Sequence, residues 1–453
     1  MTGAGEILLV STYELGRQPH GLASAFAALA AAGFFPATLD VGQESLGGEA
    51  AMAALTRARL VAISAPLHTA LRLGARVAER VRALGGERTV CFYGLYAPLH
   101  ADWLARAFGA VALGPEYEAE LVALARGERS SVAAPAIPTR RPSYVVPVRD
   151  GLAALASYVK LDDGERLVVA GAVEGSRGCL HMCRHCPLPP IYGGRFFAVP
   201  VEVALADAQR QLDAGARHIS FTDPDFLNGP RHALALARGL HALDATVTFD
   251  ATIKVEHLLR HRALLAELRA LGCIFVVSAF ESLSERVLTL LDKGHTAADA
   301  HTAIALLRGA GISVRPTFVP FTPLSTLEDF LALCRFVRDE ELEEEVDPVQ
   351  LSIRLLVPPG SLLADHADTA PLLGPLDEAA LAYSWAHPDP RMDVLQQRVS
   401  ALVEETADAA LAPGVIFARI HALAAALAGE PAPAEAAPRP RRRVPRLTEP
   451  WFC

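Results

Sequence analysis

No run of apolar residues in this chain reaches the ~18 or more needed to cross a bilayer. Its opening, MTGAGEILLVSTYELG, has neither a charged n-region nor a signal-like apolar h-region, so a mature cytoplasmic protein is expected. Positive charge is also scarce. Against 51 Asp and Glu there are 42 Lys and Arg, and the net charge of -9 argues against a dedicated nucleic-acid binder. Cysteine is sparse: seven in 453 residues do not make a disulfide scaffold. In a reducing compartment, thiols that cluster more often bind metal or do redox chemistry. Apolar residues are plentiful at 51%, ample for large cores. The length fits roughly two to four domains at ~150 residues each.

Over residues 1–128, short apolar runs alternate with amphipathic stretches, the pattern of an open parallel α/β sheet. The expected strands are EILLVS (6–11), PATLDV (36–41), LVAISA (60–65), TVCFYG (89–94) and AVALG (110–114). A proline-punctuated loop over 129–164 reads as a linker. A second alternation then begins, with strands expected at 166–175, 218–223, 246–253, 273–282, 312–320 and 349–356. Six βα units imply a closed or partly closed parallel barrel, whose function collects at the carboxyl ends of its strands. The barrel is bounded at 165–375, an Ala-rich helical region at 376–428, and a Pro/Arg-rich tail at 429–453 that is expected to be unstructured.

Three cysteines, Cys179, Cys183 and Cys186, stand together in EGSRGCLHMCRHCPLPP, just past the first barrel strand. A structural zinc site needs four ligands, and His181 or His185 is available as the fourth. On a cubane iron–sulfur cluster, three thiolates leave one iron open to a small molecule, which catalysis needs. The barrel context favours the cluster, because a zinc knuckle does not normally sit at the head of a βα barrel. Cys91, Cys273 and Cys334 lie within apolar runs and read as core.

CLHMCRHC after a first barrel strand resembles the signature of the radical S-adenosylmethionine (SAM) superfamily, and the resemblance covers about residues 165–360. It implies a [4Fe-4S] cluster on the three cysteines and SAM on the open iron. One electron then breaks a C–S bond of the sulfonium and yields a carbon radical. An electron donor such as a flavodoxin or ferredoxin is implied, with a small-molecule substrate and neither nucleic acid nor membrane as partner. His185 stands where the family usually has an aromatic residue. By the same resemblance, His185 itself, Asp223 and Asp225 in FTDPDFLNG, Ser278 and Glu281 in SAFES, and Arg315 are SAM-binding candidates. Asp223 and Asp225 also fit an Asp-rich turn that caps the next helix. Asp250, Lys254 and Arg354 are substrate or catalytic candidates, although Asp250 and Lys254 equally suit a pair with one another.

Radical SAM proteins with an upstream five-stranded domain commonly bind cobalamin there, and 13–24, 64–70, 93–97 and 113–118 resemble that subclass. The implied fold is an open, flavodoxin- or cobalamin-binding-like sheet, a partial (βα)6 TIM-type barrel, and a small helical C-terminal region with a disordered tail. Ser64, His68, Gly94, Tyr96, Ala97, Gly114 and Glu116 are the cobalamin candidates. The D-x-H-x-x-G motif that supplies an axial histidine in many such domains is absent. The ending RLTEPWFC resembles the family named for its CUAEP or CCAEP tail. The expectation is a chain read as stopping at a selenocysteine codon after Cys453, with Cys453 a further catalytic candidate. Arg439, Arg441, Arg442, Arg443 and Arg446 would dock that arm on the acidic body, or simply solvate it.

The leading expectation is therefore a radical SAM enzyme, with methyl or alkyl transfer favoured. Transfer of the aminocarboxypropyl part of SAM and a non-catalytic cluster or metal scaffold for a soft element stay open. A methylthiotransferase-like RNA modifier fits poorly, since the sequence has no second cysteine triad and no evident basic domain.

Overall fold

The computed structural model describes residues 6–128, 137–138, 142–407, 409, 411–431 and 444–449. Cys453 and the arginines at 439 and 441–443 lie outside the described residues. Five strands, β1 (Ile7–Ser11), β2 (Ala37–Asp40), β3 (Leu60–Ser64), β4 (Thr89–Tyr93) and β5 (Val111–Ala112), form a parallel sheet in the order β2-β1-β3-β4-β5. Leu8 and Val10 enter the core on one face, Ile7 and Leu9 the core on the other. Burial on both faces is why these strands read as unbroken apolar strings. The strand order reverses at β1, so the loops after β1 and β3 open a crevice at the carboxyl edge.

The second sheet begins with β6 (Lys160–Asp162) and β7 (Leu167–Val173). An antiparallel hairpin, β8 (Ser176–Gly178) with β9 (Phe196–Ala198), follows and holds both ends of the cysteine loop. The sheet continues through β10 (His218–Phe221), β11 (Thr248–Thr252), β12 (Cys273–Glu281) and β13 (Ser313–Phe318). β7, β10, β11, β12 and β13 are parallel neighbours in a curled half-barrel. The core beneath them includes the Phe221–Phe226 stack, with ring centroids 4.8 Å apart.

The strand expected at 349–356 is reduced to a 3-10 turn, Pro348–Leu351, and one isolated bridge between Phe321 and Arg354. Pro348 has no amide to donate to a ladder. The Gln350 side chain accepts the Phe318 N–H at 3.2 Å, so an amide side chain takes the place of a strand partner.

The region expected to be helical from 376 opens instead on a hairpin, β14 (Leu373–Asp377) and β15 (Ala382–Trp385). Its turn clasps the N-terminal domain, where Leu381 joins the core and Ala380 O lies 2.8 Å from His68 Nε2. Helices Pro390–Thr406 and Pro413–Ala428 then pack on the barrel through Met392, Leu395 and Ile420. The tail also departs from expectation in its described part. A final strand, β16 (Arg446–Leu447), pairs antiparallel with β6 at the sheet edge. Glu449 accepts the Tyr13 hydroxyl at 3.1 Å.

The described part of the linker is bonded on both sides. Tyr158 donates to Asp40 at 2.8 Å and Gln18 to Ala153 O at 2.9 Å. Arg149 pairs with the buried Asp207 of the barrel. Among the described residues, no helix is long and apolar enough to cross a membrane.

Candidate active site

The cysteine loop leaves β8 at Gly178, whose φ is +76°. A Cβ there would stand 2.2 Å from Arg195 O, so only glycine lets the two hairpin strands close under the loop. Arg184 pins the far side by donating to Thr289 O and Leu290 O at 2.9 and 2.8 Å. Asn228 holds the near side, accepting the Leu180 N–H at 3.2 Å, with its Nδ2 3.6 Å from Cys179 Sγ. Cys183 is buried, and Cys179 and Cys186 are half-buried. The three thiols are not among the described donor sets whose atoms all lie within 4.8 Å of one another. A mononuclear zinc site draws its donors to ~2.0–2.3 Å from one point. A wider spacing suits thiolates that each hold a different iron, so the residues fit a cluster better than a single zinc.

Around the loop, the half-barrel rim supplies carboxylates. Asp223, after β10, is buried and accepts the Gly175 N–H at 3.0 Å and the Ser176 hydroxyl. Burial pushes its carboxyl up to about 7 despite those bonds. Asp225 is buried two residues on, 2.7 Å from His257 Nδ1 and 3.4 Å from His181 Nε2. Glu281 closes β12 at φ +64°, where the register with β13 shifts. A bulge of this kind re-aims a side chain. Glu281 Oε1 lies 3.1 Å from both Lys293 Nζ and His185 Nε2. Burial alone would raise its pKa, but Lys293 and His185 hold it far below the ordinary carboxylate range. Ser278 is fully buried, and its hydroxyl has no hydrogen-bond partner among the described residues.

Other expected residues lie elsewhere. Asp250 and Lys254 do not pair: Asp250 accepts from Ser220 at 2.5 Å and lies 2.8 Å from His218 Nε2, while Lys254 meets His181 and Glu256. Arg315 pairs with Asp347 at 2.6 Å beside a small pocket of about 30 Å³ that also touches Asp250 and Glu449. Arg354 stands apart from the rim. It bonds Asp393 and Trp385 O, both at 2.6 Å, and covers the Trp385 ring at 3.5 Å.

A cavity of about 410 Å³ lies between the two domains. The barrel side presents Cys186, Asp223, Asp250 and Glu174, and the N-terminal side Glu14, His20, Ser64 and Gly94. The volume is in the range of small-molecule sites. Gly94 has φ +105°, and a Cβ on it would meet the Ala65 backbone at 3.1 Å. Of the other N-terminal candidates, Ala97 is fully buried and His68 is engaged with Ala380. Tyr96, Gly114 and Glu116 are not among the residues that line this cavity. Glu14, His20 and Tyr93 fall within the segments 13–24 and 93–97 that resemble cobalamin-binding domains, whereas periodicity and motif spacing gave no sign of Glu174, Arg177 or Lys293.

Arg177 and Glu174 bind the domains together at the cavity wall. Arg177 donates to Glu118 at 2.6 and 3.0 Å and to Glu174 at 2.9 and 3.0 Å. His20 Nε2 lies 3.2 Å from Glu174. Burial would lower the His20 pKa, but Glu174 outweighs it and raises it.

Glu14 accepts the His20 N–H at 2.8 Å, yet loss of water pushes its carboxyl up from 4.5 to about 7. A carboxyl raised on folding contributes stability that is present below its unfolded pKa and is lost as pH rises through the folded one. Glu14→Gln is therefore expected to melt above wild type by a margin that grows between pH 5 and pH 8. Melting scans of the two proteins across that range check it, and a constant gap would refute it.

Residues 173–337 match the Radical SAM superfamily. The chain thus carries a radical SAM domain, with the iron–sulfur cluster and SAM which that domain implies. It is 24% identical over 198 residues to an uncharacterized methyltransferase of Pyrococcus horikoshii, covering 44% of this chain and 42% of that protein. It is 28% identical over 178 residues to the ribosomal protein uS12 methylthiotransferase RimO of Cereibacter sphaeroides, covering 37% of this chain and 38% of the relative. The matches thus span less than half the length of these relatives. Among solved structures, the fold resembles the cobalamin-dependent SAM radical enzyme OxsB with aqua-cobalamin and SAM bound. That likeness has a TM-score of 0.68 at 13% identity and covers 88% of this chain and 66% of that one. The radical SAM methyltransferase TsrM from Kitasatospora setae, with cobalamin and a [4Fe-4S] cluster bound, gives 0.56 at 18% identity over 74% of this chain and 73% of that one. At these identities the likeness to both structures is one of fold.

Proposed function

We propose that this chain is a radical SAM enzyme that transfers a methyl or alkyl group to a small molecule held between its domains, with cobalamin on the N-terminal side. One observation carries the reading: a single cavity has Cys186 of the cysteine loop on one wall and the β1/β3 crevice, with Glu14, Ser64 and Gly94, on the other. When bound, the reduced cluster supplies the electron that splits SAM, and cobalamin supplies a carrier for the methyl group.

The chain's own residues bind and orient. Cys179, Cys183 and Cys186 hold the cluster. Asp223, buried at the cavity wall, receives the SAM ammonium, whose positive charge offsets the cost of ionising a buried carboxyl. Glu281, kept ionised by Lys293, orients the remaining polar part of SAM together with His185. Gly94 lets a flat macrocycle approach the backbone, and the Arg177 network closes the domains and excludes water. A soluble one-electron donor completes the system. Cys453 is proposed as a further catalytic thiol, and Glu449, four residues before it, is bonded to Tyr13.

Anaerobic reconstitution with iron and sulfide, then dithionite, SAM and hydroxocobalamin, tests the reading. Deoxyadenosine, S-adenosylhomocysteine or methylthioadenosine would each identify the bond broken. Stable zinc with no SAM turnover would replace the enzyme with a metal scaffold. Lys293→Met is expected to keep its iron yet bind SAM about 10- to 100-fold more weakly, the scale of a lost charge-assisted bond. Equilibrium SAM binding measures this, and unchanged affinity would remove Glu281 from the SAM site.

A further inference from the structure

Three side chains from separate parts of the chain converge beside the cysteine loop. His181 comes from within the loop, Asp225 from the turn after β10, and His257 from the first turn of helix Val255–Arg260. Among the described residues they form the one set of three metal-ligating side chains whose donor atoms all lie within 4.8 Å of one another. His257 Nδ1 is 2.7 Å and His181 Nε2 3.4 Å from the same oxygen, Asp225 Oδ2. All three atoms are buried, and among the described residues they meet only one another, in ion-pair contacts that miss hydrogen-bond geometry. Orphaned buried polar atoms are rare and costly. Three that face one another are what a ligand set looks like before its ion.

We propose that His181, Asp225 and His257 bind a divalent transition metal, distinct from the cluster. Two imidazoles and one carboxylate suit zinc, iron(II) or cobalt(II), and leave positions open for water. Donors at ~2.0–2.1 Å from a tetrahedral ion stand about 3.3 Å apart. The His181–Asp225 separation already has that value, and the His257–Asp225 contact must open by about 0.6 Å to reach it. One supporting bond is in place. The other Asp225 oxygen accepts the Leu227 N–H at 3.2 Å and fixes the carboxylate plane. Glu256 Oε2 lies 3.6 Å from His181 Nδ1, outside hydrogen-bond reach, and would receive its proton only after closing that gap once Nε2 turns to a metal. Lys254 Nζ, 3.0 Å from His181 Nδ1, must give up that contact before Nδ1 can carry a proton, and Glu256, 3.3 Å from the ammonium, is the partner that keeps it. An ion here would tie the cysteine loop to the barrel rim through His181, two residues from Cys179.

The test uses the full chain with its cluster reconstituted, so that iron occupies the loop thiols. After chelator treatment it is titrated anaerobically with Co²⁺. One equivalent per chain is expected, with visible d–d bands, no thiolate-to-metal charge transfer, displacement by Zn²⁺ and unchanged iron content. Asp225→Asn and His257→Gln should each weaken Co²⁺ binding at least tenfold while keeping their iron. His257→Cys replaces one nitrogen donor by sulfur and should add a charge-transfer band, a signature that mere misfolding does not produce. The proposal falls if wild type and variants take up Co²⁺ alike, whether one equivalent or none. It falls equally if wild-type Co²⁺ shows thiolate bands, or if His257→Cys adds no such band.

Discussion

Replacing Cys183 by alanine is expected to give protein that assembles no intact cluster and cleaves no SAM above background. Cys183 is the middle thiol of the loop and is only 7% exposed, with its carbonyl accepting the Cys186 N–H at 3.1 Å. The loop is fixed at Gly178, Asn228 and Arg184, which holds Cys179 and Cys186 to their own positions. Among the described cysteines outside the loop, Cys91, Cys273 and Cys334 are fully buried in the cores. Burial pushes the Cys334 thiol up to about 12, far from the thiolate a metal needs. Loss of the cluster removes the source of the rate enhancement, a fall of about 10⁶-fold or more. Cys334→Ala is the matched control, since it trims a packed core at a cost of about 1 kcal/mol and should retain full iron. Iron analysis and deoxyadenosine formation in the two variants measure the contrast. Full iron and turnover in Cys183→Ala would assign the loop to something other than the cluster.

The fold was legible wherever burial is uniform. The parallel strands of both sheets read as apolar strings because both faces are covered, and they appear within a few residues of expectation, whereas the edge strands β6 and β16 fall where a linker and an unstructured tail were expected. The failure at 349–356 has a local cause: Pro348 and the Gln350 side chain substitute for a ladder that the apolar residues alone suggested. The cysteine loop was legible because its ligands are neighbours in sequence. Glu281 was legible because a carboxylate that ends an apolar strand must have partners. Its partner Lys293 was not, since a single lysine before a glycine looks like any helix end. Residues whose roles depend on distant partners gave no signal. Arg177 bonds Glu118, 59 residues away, and His68 is satisfied by Ala380, 312 residues away. The resemblance offered His68 as a cobalamin candidate, and nothing near it in sequence shows that its Nε2 lies 2.8 Å from Ala380 O of the β14/β15 turn. His257 carries no motif of its own and meets His181 only through the barrel.

Arg177→Met is expected to lower stability by about 3–5 kcal/mol, because it leaves buried carboxylates without their cation. Arg177 is 5% exposed and lies between Glu118 of the N-terminal domain and Glu174 of the barrel. Its guanidinium also sits 5.2 Å from the Tyr117 ring and 5.3 Å from that of Tyr144, so methionine fills the aliphatic volume but removes the charge, its hydrogen bonds and both ring contacts. Burial alone would raise the Glu174 pKa, but Arg177 and His20 bring it down to about 2. A carboxyl depressed on folding contributes stability above its unfolded pKa, near 4.5, and loses it as pH falls through the folded value. The penalty of the variant is therefore largest above pH 5 and shrinks as acid protonates the stranded carboxylates. Adding Glu118→Gln and Glu174→Gln removes those charges and should recover much of the loss, as neutral replacement of a buried ion set does elsewhere. Denaturant unfolding of the single and triple variants at pH 4 and pH 7 reads both effects. A single variant within about 1 kcal/mol of wild type at pH 7 would show that the pair behaves as a surface bridge. In that case the joint between the domains is held by the 142–159 segment and the β14/β15 turn rather than by charge.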